Sequence, residues 1–210
     1  MLISDQYKFI FVHVSKTAGT SVNRTFEPYA NEMDRSKLNK ALSKSGIRRD
    51  YQKRYFAIHA YISEAQKYIP EDVFNDFFKF AFVRNPWDWI VSMHSFLKQN
   101  TDHRHSAMVQ KMSFSEYVDF EIARNKRSQH EFICDKNGNL AVDFIGRFES
   151  LEDDFNTICQ KIGLDLHLPH LNPSKHKDFR DYYDSETIDK VAKHWRKDIE
   201  LFGYDFDNKG

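Results

Sequence analysis

The sequence predicts an α/β fold of three layers, with a central, mainly parallel sheet flanked by helices. Three observations predict it. Two short runs, KFIFVHV at 8–14 and FKFAFV at 78–83, are apolar on both alternating faces, as strands covered on both sides are. Each run ends at a helix-start signal: the small residues of SKTAGTS at 15–21 after the first, and Asn85-Pro86 after the second. Strand patterns then alternate with helical ones along the rest of the chain. With 210 residues, 40% hydrophobic and 15% aromatic, there is material for a sizeable core. No internal repeat or linker divides it, so one domain over 1–210 is expected.

Composition excludes several function classes. Lys+Arg and Asp+Glu are equal at 31 each, which argues against a general nucleic-acid binder but leaves room for a local anion site. No apolar run reaches the length of a membrane span. The start, MLISDQYKFIFVHVSK, lacks the basic, apolar and small-residue order of a signal peptide. Two cysteines, Cys134 and Cys159, make no disulfide framework and suit free thiols in a reducing compartment. A cytoplasmic protein without a membrane span is expected.

Taken in order, the first strand puts Phe9, Phe11 and His13 on one face and Ile10, Val12 and Val14 on the other. Thr20 or Ser21 is placed to cap a helix toward Phe26, limited by Pro28. Residues 35–54 carry Arg35, Lys37, Lys40, Lys44, Arg48, Arg49, Lys53 and Arg54 against one acid, Asp50. Such a run is either a solvated face or a docking surface for an anionic acceptor. Tyr55–Ile58 reads as a short strand ending at His59. Helices are expected at 62–68 and, after Pro70, at 71–77. The strand at 78–83 follows, and Pro86 opens a helix to about Leu97. Residues 99–112 are polar and loop-like. Ser113 and Glu116 form a capping-box pattern for a helix to about Arg124. Asp135–Asn139 is a turn between two extended runs, the second being LAVDFIGRF at 140–148. Ser150 begins a helix that ends at Gly163. Pro169 and Pro173 bracket a loop, and a last helix runs from Ser185 to about Leu201.

Two constellations carry chemistry. In the first, a strand passes through Ser15, Lys16, Thr17, Ala18, Gly19, Thr20 and Ser21 into a helix. Successive N–H groups at such a helix start cradle an anion, Gly19 allows close approach, and Lys16 adds positive charge. The lysine precedes the glycine, so this is not a Walker A loop. An ordinary strand-to-helix turn is the alternative. In the second, the strand at 78–83 delivers Arg84 at its C-terminal end, where open α/β sheets bind ligands. Ser92 follows eight residues later on the Pro86 helix. A guanidinium and a hydroxyl together can hold a phosphate. Singly, Arg84 reads equally well as a salt-bridge partner and Ser92 as a helix-interior serine.

Together the segments resemble the sulfotransferases that use 3'-phosphoadenosine 5'-phosphosulfate (PAPS). HVSKTAGTS resembles the family's loop for the 5'-phosphosulfate, and FVRNPWDWIVS its 3'-phosphate segment. The variant is most similar to the carbohydrate branch, which includes heparan and chondroitin sulfotransferases and bacterial relatives. Similarity continues in DFIGRFESLEDDF at 143–155 and through LNPSKHKDFRDYYD to DIELFGYDF at 171–206. The resemblance implies a P-loop-like α/β fold. It assigns the 5'-phosphosulfate to Lys16, Thr17, Ala18, Gly19, Thr20 and Ser21, and the 3'-phosphate to Arg84 and Ser92. Lys175 or His176 would close over the nucleotide.

Sulfuryl transfer needs in-line positioning and charge stabilisation. Lys16 is taken to stabilise the departing 5'-phosphate, and an acceptor hydroxyl needs a base. His59 lies between the two cofactor motifs, where the heparan 2-O branch carries its base, and is the first choice; Glu64 is the alternative. His13 reads as a structural residue of the first strand. His94 falls off the face of Ser92. His103 and His105 form an H-x-H pair without a nearby carboxylate or cysteine, so no metal site is assigned. The acceptor is expected to be a hydroxyl on a glycan or small glycoconjugate. Trp87, Trp89, Tyr61 and Tyr117 read equally as sugar platforms or as core. Two other functions compete. A P-loop kinase or NTPase would need Mg²⁺ ligands, for which Asp143 is the one acid in a strand-like run. A non-catalytic relative would bind nucleotide or glycan without turnover.

Overall fold

The structure is a computed structural model that describes residues 1–169 and 177–207. In chain order the strands and α-helices are β1 (Leu2–Ser4), β2 (Phe9–Val12), α1 (Gly19–Phe26), α2 (Lys37–Lys44), α3 (Ile62–Tyr68), α4 (Glu71–Asp76), β3 (Phe78–Val83), α5 (Pro86–Gln99), α6 (Ser106–Val109), α7 (Phe114–Ala123), α8 (His130–Ile133), β4 (Phe144–Arg147), α9 (Leu151–Ile162), α10 (Ser185–His194) and α11 (Arg196–Phe202). Two compact units result. One comprises Met1–Val83 with Gln129–Leu171, the other Arg84–Ser128 with Asn172–Gly210.

The first unit holds the sheet, in the order β1-β2-β3-β4. β2, β3 and β4 are parallel, with Phe9 opposite Phe78 and Phe80 opposite Phe144; β1 is antiparallel to β2. The predicted mainly parallel sheet flanked by helices is therefore present. Its core is built from phenylalanine. Phe9, Phe11, Phe80 and Phe82 share one face and meet Phe26 of α1 and Phe155 of α9. The Phe26 ring lies 5.3–5.4 Å from those of Phe9, Phe80 and Phe155. β4 carries Gly146 where a Cβ would stand 2.5 Å from the Phe82 ring, so packing requires the glycine.

Some predicted elements differ. β1 has no counterpart among the predictions, being three residues held by a single antiparallel partner. Tyr55–Ile58 is not a strand. Ala60 N–H closes a turn on the Ala57 carbonyl, and the Met1 ammonium takes the carbonyls of Ala57 and Ile58 at 3.1 and 2.6 Å. Those carbonyls are thereby satisfied without a ladder. The strand predicted at 140–148 is confined to Phe144–Arg147, and Leu140 instead bridges Cys134 across the predicted turn. The basic segment folds its first part into α2, capped by the Ser36 hydroxyl. Cys134 and Cys159 are free and buried, and burial pushes the Cys159 thiol up to about 11.

The second unit packs α5 against Tyr117, Val118, Val191 and Trp195, with Trp89 meeting Trp195 edge-on at 6.3 Å. Asn85 caps α5 by accepting from Trp87 N–H at 3.0 Å, with Pro86 at the first helical position as predicted. The Ser113/Glu116 capping box also forms. The predicted helix from Ser185 to Leu201 is broken at the buried Trp195 into α10 and α11. No helix among the described residues is long and apolar enough to cross a membrane.

Candidate active site

β2 brings the chain to the loop at 15–18, and α1 takes it up at Gly19. Between them Lys16 and Ala18 have φ of 65° and 59°. A left-handed backbone costs a non-glycine residue roughly 1–2 kcal/mol, and such strain collects at functional loops. Left-handed residues alternating with others turn N–H groups toward one side, the concavity that suits an anion. The first N–H groups of α1 lack intrahelical carbonyls and carry the positive end of its dipole. α1 starts earlier than predicted: Ala18, not Thr20 or Ser21, is the cap residue. The left-handed turn at Ala18 sends the N–H groups of Ser21 and Val22 onto its carbonyl at 2.9 and 3.3 Å. Thr20 is exposed and Ser21 buried within the first turn, and Lys16 is half-buried. The buried Thr17 hydroxyl donates to the Val14 carbonyl at 3.0 Å, which ties the loop to the strand end. Thr17 therefore offers an anion its backbone N–H.

The approach that Gly19 permits is that of His13. A Cβ on Gly19 would stand 2.0 Å from Cδ2 and 2.1 Å from Nε2 of that ring. His13 is 3% exposed, stacks on Phe11, and meets the His59 ring edge-on at 4.6 Å. Burial, then the charges of His59 and the N-terminus, push its pKa down to about 3, so it is a neutral imidazole. It lies against Gly19 as a buried, neutral ring.

His59 is exposed, and its Nδ1 lies 2.9 Å from the His13 carbonyl oxygen. A carbonyl only accepts, so Nδ1 carries the hydrogen and Nε2 is the basic nitrogen of the neutral ring. The structure thus connects the predicted base to the predicted anion loop through one residue, His13. Glu64 is placed differently, 3.4 Å from the Arg54 guanidinium. That cation is buried, donates to the Arg48 carbonyl, and covers the Tyr68 ring at 3.4 Å.

In the second unit Arg84 is 2% exposed, and its Nε donates to Asp88 Oδ2 at 2.8 Å. The salt bridge that the sequence left open is therefore real. Sequence reasoning missed Asp88 as the acid that holds the Arg84 Nε; its signal was the i, i+4 spacing from Arg84. Ser92 is buried one turn further along α5. His94 packs on Tyr117 at 4.8 Å, and burial, then Lys98, pushes its pKa down to about 4. Lys175 and His176 lie outside the described residues.

Asp143 is committed elsewhere. Its carboxylate accepts from the Lys79 N–H at 2.7 Å and pairs with the buried Lys79 ammonium at 2.9 Å. That use removes the specific support for the kinase alternative. Among the described residues no group of three or more His, Cys, Asp or Glu is placed to hold a metal.

The crystal structure of mouse sulfotransferase SULT7A1 complexed with PAP is similar at a TM-score of 0.45 and 14% identity, over 96% of this chain and 90% of that one. An uncharacterized protein of Archaeoglobus fulgidus is 29% identical over 97 residues, 46% of this chain and 76% of that protein. The model of the sulfotransferase family matches residues 1–205. That match takes in the strained loop, His59, Arg84 and Ser92 within nearly the whole chain, and the chain belongs to the sulfotransferase family.

Proposed function

We propose that the protein moves a sulfuryl group from PAPS to an acceptor hydroxyl on a carbohydrate. One observation carries the reading: the left-handed loop bearing Lys16 rests on His13, whose carbonyl orients His59. A strained anion loop and an oriented base are what transfer to a hydroxyl requires.

Bound PAPS supplies an activated sulfuryl group on a phosphate leaving group. The backbone N–H groups from Lys16 to Thr20 hold the 5'-phosphosulfate, Ser21 adds its hydroxyl because its N–H is taken by the Ala18 carbonyl, and the Lys16 ammonium offsets the negative charge that grows on the departing phosphate. Arg84, with Asp88 fixing its Nε, and Ser92 hold the 3'-phosphate. Lys175 is assigned to the nucleotide by resemblance. His59 Nε2 takes the proton of the acceptor hydroxyl while Nδ1–H stays on the His13 carbonyl. The His13 carbonyl thus fixes the Nδ1–H tautomer before transfer and keeps accepting from Nδ1–H in the imidazolium that forms.

The test is transfer of labelled sulfate from PAPS to a panel of free-hydroxyl glycans, with labelled ATP as control and chelator in a parallel arm. Label should leave PAPS, not ATP, and EDTA should not slow it, because Lys16 and the loop supply the positive field. Phosphate transfer from ATP, or activity lost with chelator and restored by Mg²⁺, would overturn the reading.

A further inference from the structure

A surface helix ordinarily buries its apolar stripe and turns polar residues to water. α2, in the basic segment of the first unit, does the opposite. Its buried residues are Asn39 and Ser43, one turn apart. Asn39 Nδ2 donates to the carbonyls of Asp34 and Lys53 at 2.8 and 2.9 Å, and its Oδ1 accepts from Arg48 Nε at 3.1 Å. The Ser43 hydroxyl oxygen accepts from Tyr55 N–H at 2.9 Å. These bonds fix which side of the helix faces the protein.

The outer side is apolar and basic. Leu38 is 70% exposed; with the exposed Ala41 and half-buried Leu42 it forms an i, i+3, i+4 set on one face. After the helix Gly46, at φ 79°, turns the chain, and Arg48 N–H returns to the Leu42 carbonyl at 3.1 Å. Ile47 is thereby kept beside the last turn, where it is 71% exposed. No other large hydrophobic among the described residues is as exposed as these two. Lys37, Lys40 and Lys44 fill the adjoining stripe of the helix, again at i, i+3 and i+7. They and Arg49 are exposed, and none has a carboxylate partner among the described residues. The acids of the segment are engaged otherwise: Asp34 accepts from the N–H and hydroxyl of Ser36, and Asp50 pairs with Lys53 at 3.6 Å.

We propose that this face of α2, together with Ile47, docks on the surface of an anionic lipid bilayer. Leu38 and Ile47 would enter the boundary between headgroups and acyl chains, and the lysines and Arg49 would meet headgroup phosphates. Charge complementarity selects this occupant. A second copy laid face to face would set lysine against lysine. A folded acidic partner would have to supply a pocket for each protruding side chain. A bilayer offers negative charge and apolar depth together and needs no matching contour. The proposal is independent of the sulfuryl-transfer reading, because it uses no residue of the candidate active site.

The test is co-sedimentation of the full chain, without nucleotide, with vesicles of phosphatidylcholine alone or of equal parts phosphatidylcholine and phosphatidylglycerol. Partition into the mixed vesicles should be roughly tenfold stronger or more, and should weaken with added salt. Lys37→Gln/Lys44→Gln should reduce the preference for the anionic lipid, and Leu38→Ser/Ile47→Ser should release the protein from both. These four side chains are exposed, so each variant should keep the thermal unfolding of the parent. Leu38→Trp supplies a direct readout, since the three native tryptophans are buried: its emission should shift to the blue on mixed vesicles. Equal partition into the two lipids, no effect of the serine variant, or an unshifted emission would overturn the proposal. So would binding to polyglutamate as tight as to mixed vesicles, which would assign the face to an acidic protein, or a dimer in solution that Leu38→Ser/Ile47→Ser dissociates, which would assign it to a second copy.

Discussion

The Nδ1 of His59 sits 2.9 Å from the carbonyl oxygen of His13, and the ring of His13 fills the space that a side chain at residue 19 would need. One buried histidine therefore supports both the loop proposed to hold the sulfuryl donor and the imidazole proposed to activate the acceptor. Its backbone does one task and its side chain the other.

His59→Ala should lower kcat by roughly 10²–10⁴-fold, the usual cost of losing a general base. Nucleotide affinity should change little, since no cofactor phosphate is assigned to His59. Steady-state rates and calorimetry on the same preparation check both halves. Near-normal turnover would move the base elsewhere, with Glu64 next; loss of nucleotide binding as well would make His59 part of the pocket or the fold.

Gly19→Ala should destabilise the protein by about 1–3 kcal/mol, because the new methyl overlaps a ring held between Phe11 and His59. Shrinking that ring should relieve the clash. In the cycle of Gly19→Ala, His13→Ala and the double variant, denaturant melts should give a coupling of about 1 kcal/mol or more, with the double variant better than the sum. Additive effects would show that the two residues do not share this space.

Acid should weaken the fold through its buried histidines. The pKa of His13 is about 3 in the folded state against 6.5 as its ordinary value, and that of His94 about 4. Between those limits the unfolded chain binds protons that the folded chain refuses, so stability is unaffected above pH 6.5 and falls as pH drops below it. His13 alone should cost about 2–3 kcal/mol by pH 4.5. Denaturant melts at pH 7.5, 5.5 and 4.5 should show His13→Leu losing less stability over that range than the parent. An identical pH slope would contradict the neutral, buried state of His13.

The parts of the fold legible in the sequence are those set by local chemistry. The doubly apolar run at 78–83, Pro86 after Asn85, the Ser113/Glu116 box and Gly163 in the left-handed position each act within a few residues, and each appears as predicted. What was not legible depends on partners far along the chain. Tyr55–Ile58 has strand composition, but its carbonyls are taken by Met1. Trp195 breaks a continuous helical pattern where its ring is buried against Trp89. The same divide runs through the candidate site. Lys16, Gly19 and Arg84 stand in recognisable patterns. The reason for Gly19 lies in a ring from the preceding strand, and the orientation of His59 comes from a backbone carbonyl that no side-chain pattern encodes.

The most direct measurement is calorimetric binding of 3',5'-diphosphoadenosine against 5'-AMP, for the parent and for Arg84→Ala. The parent should bind the diphosphate far more tightly than the monophosphate. Arg84→Ala should cost the diphosphate about 1.5–3 kcal/mol, the value of a hydrogen-bonded charged partner, and the monophosphate little. Because Asp88 already holds the Arg84 Nε, an Asp88→Asn variant should weaken the diphosphate in the same sense. Equal affinity of the parent for the two nucleotides, or equal losses in Arg84→Ala, would contradict the assignment of a PAPS site to this chain.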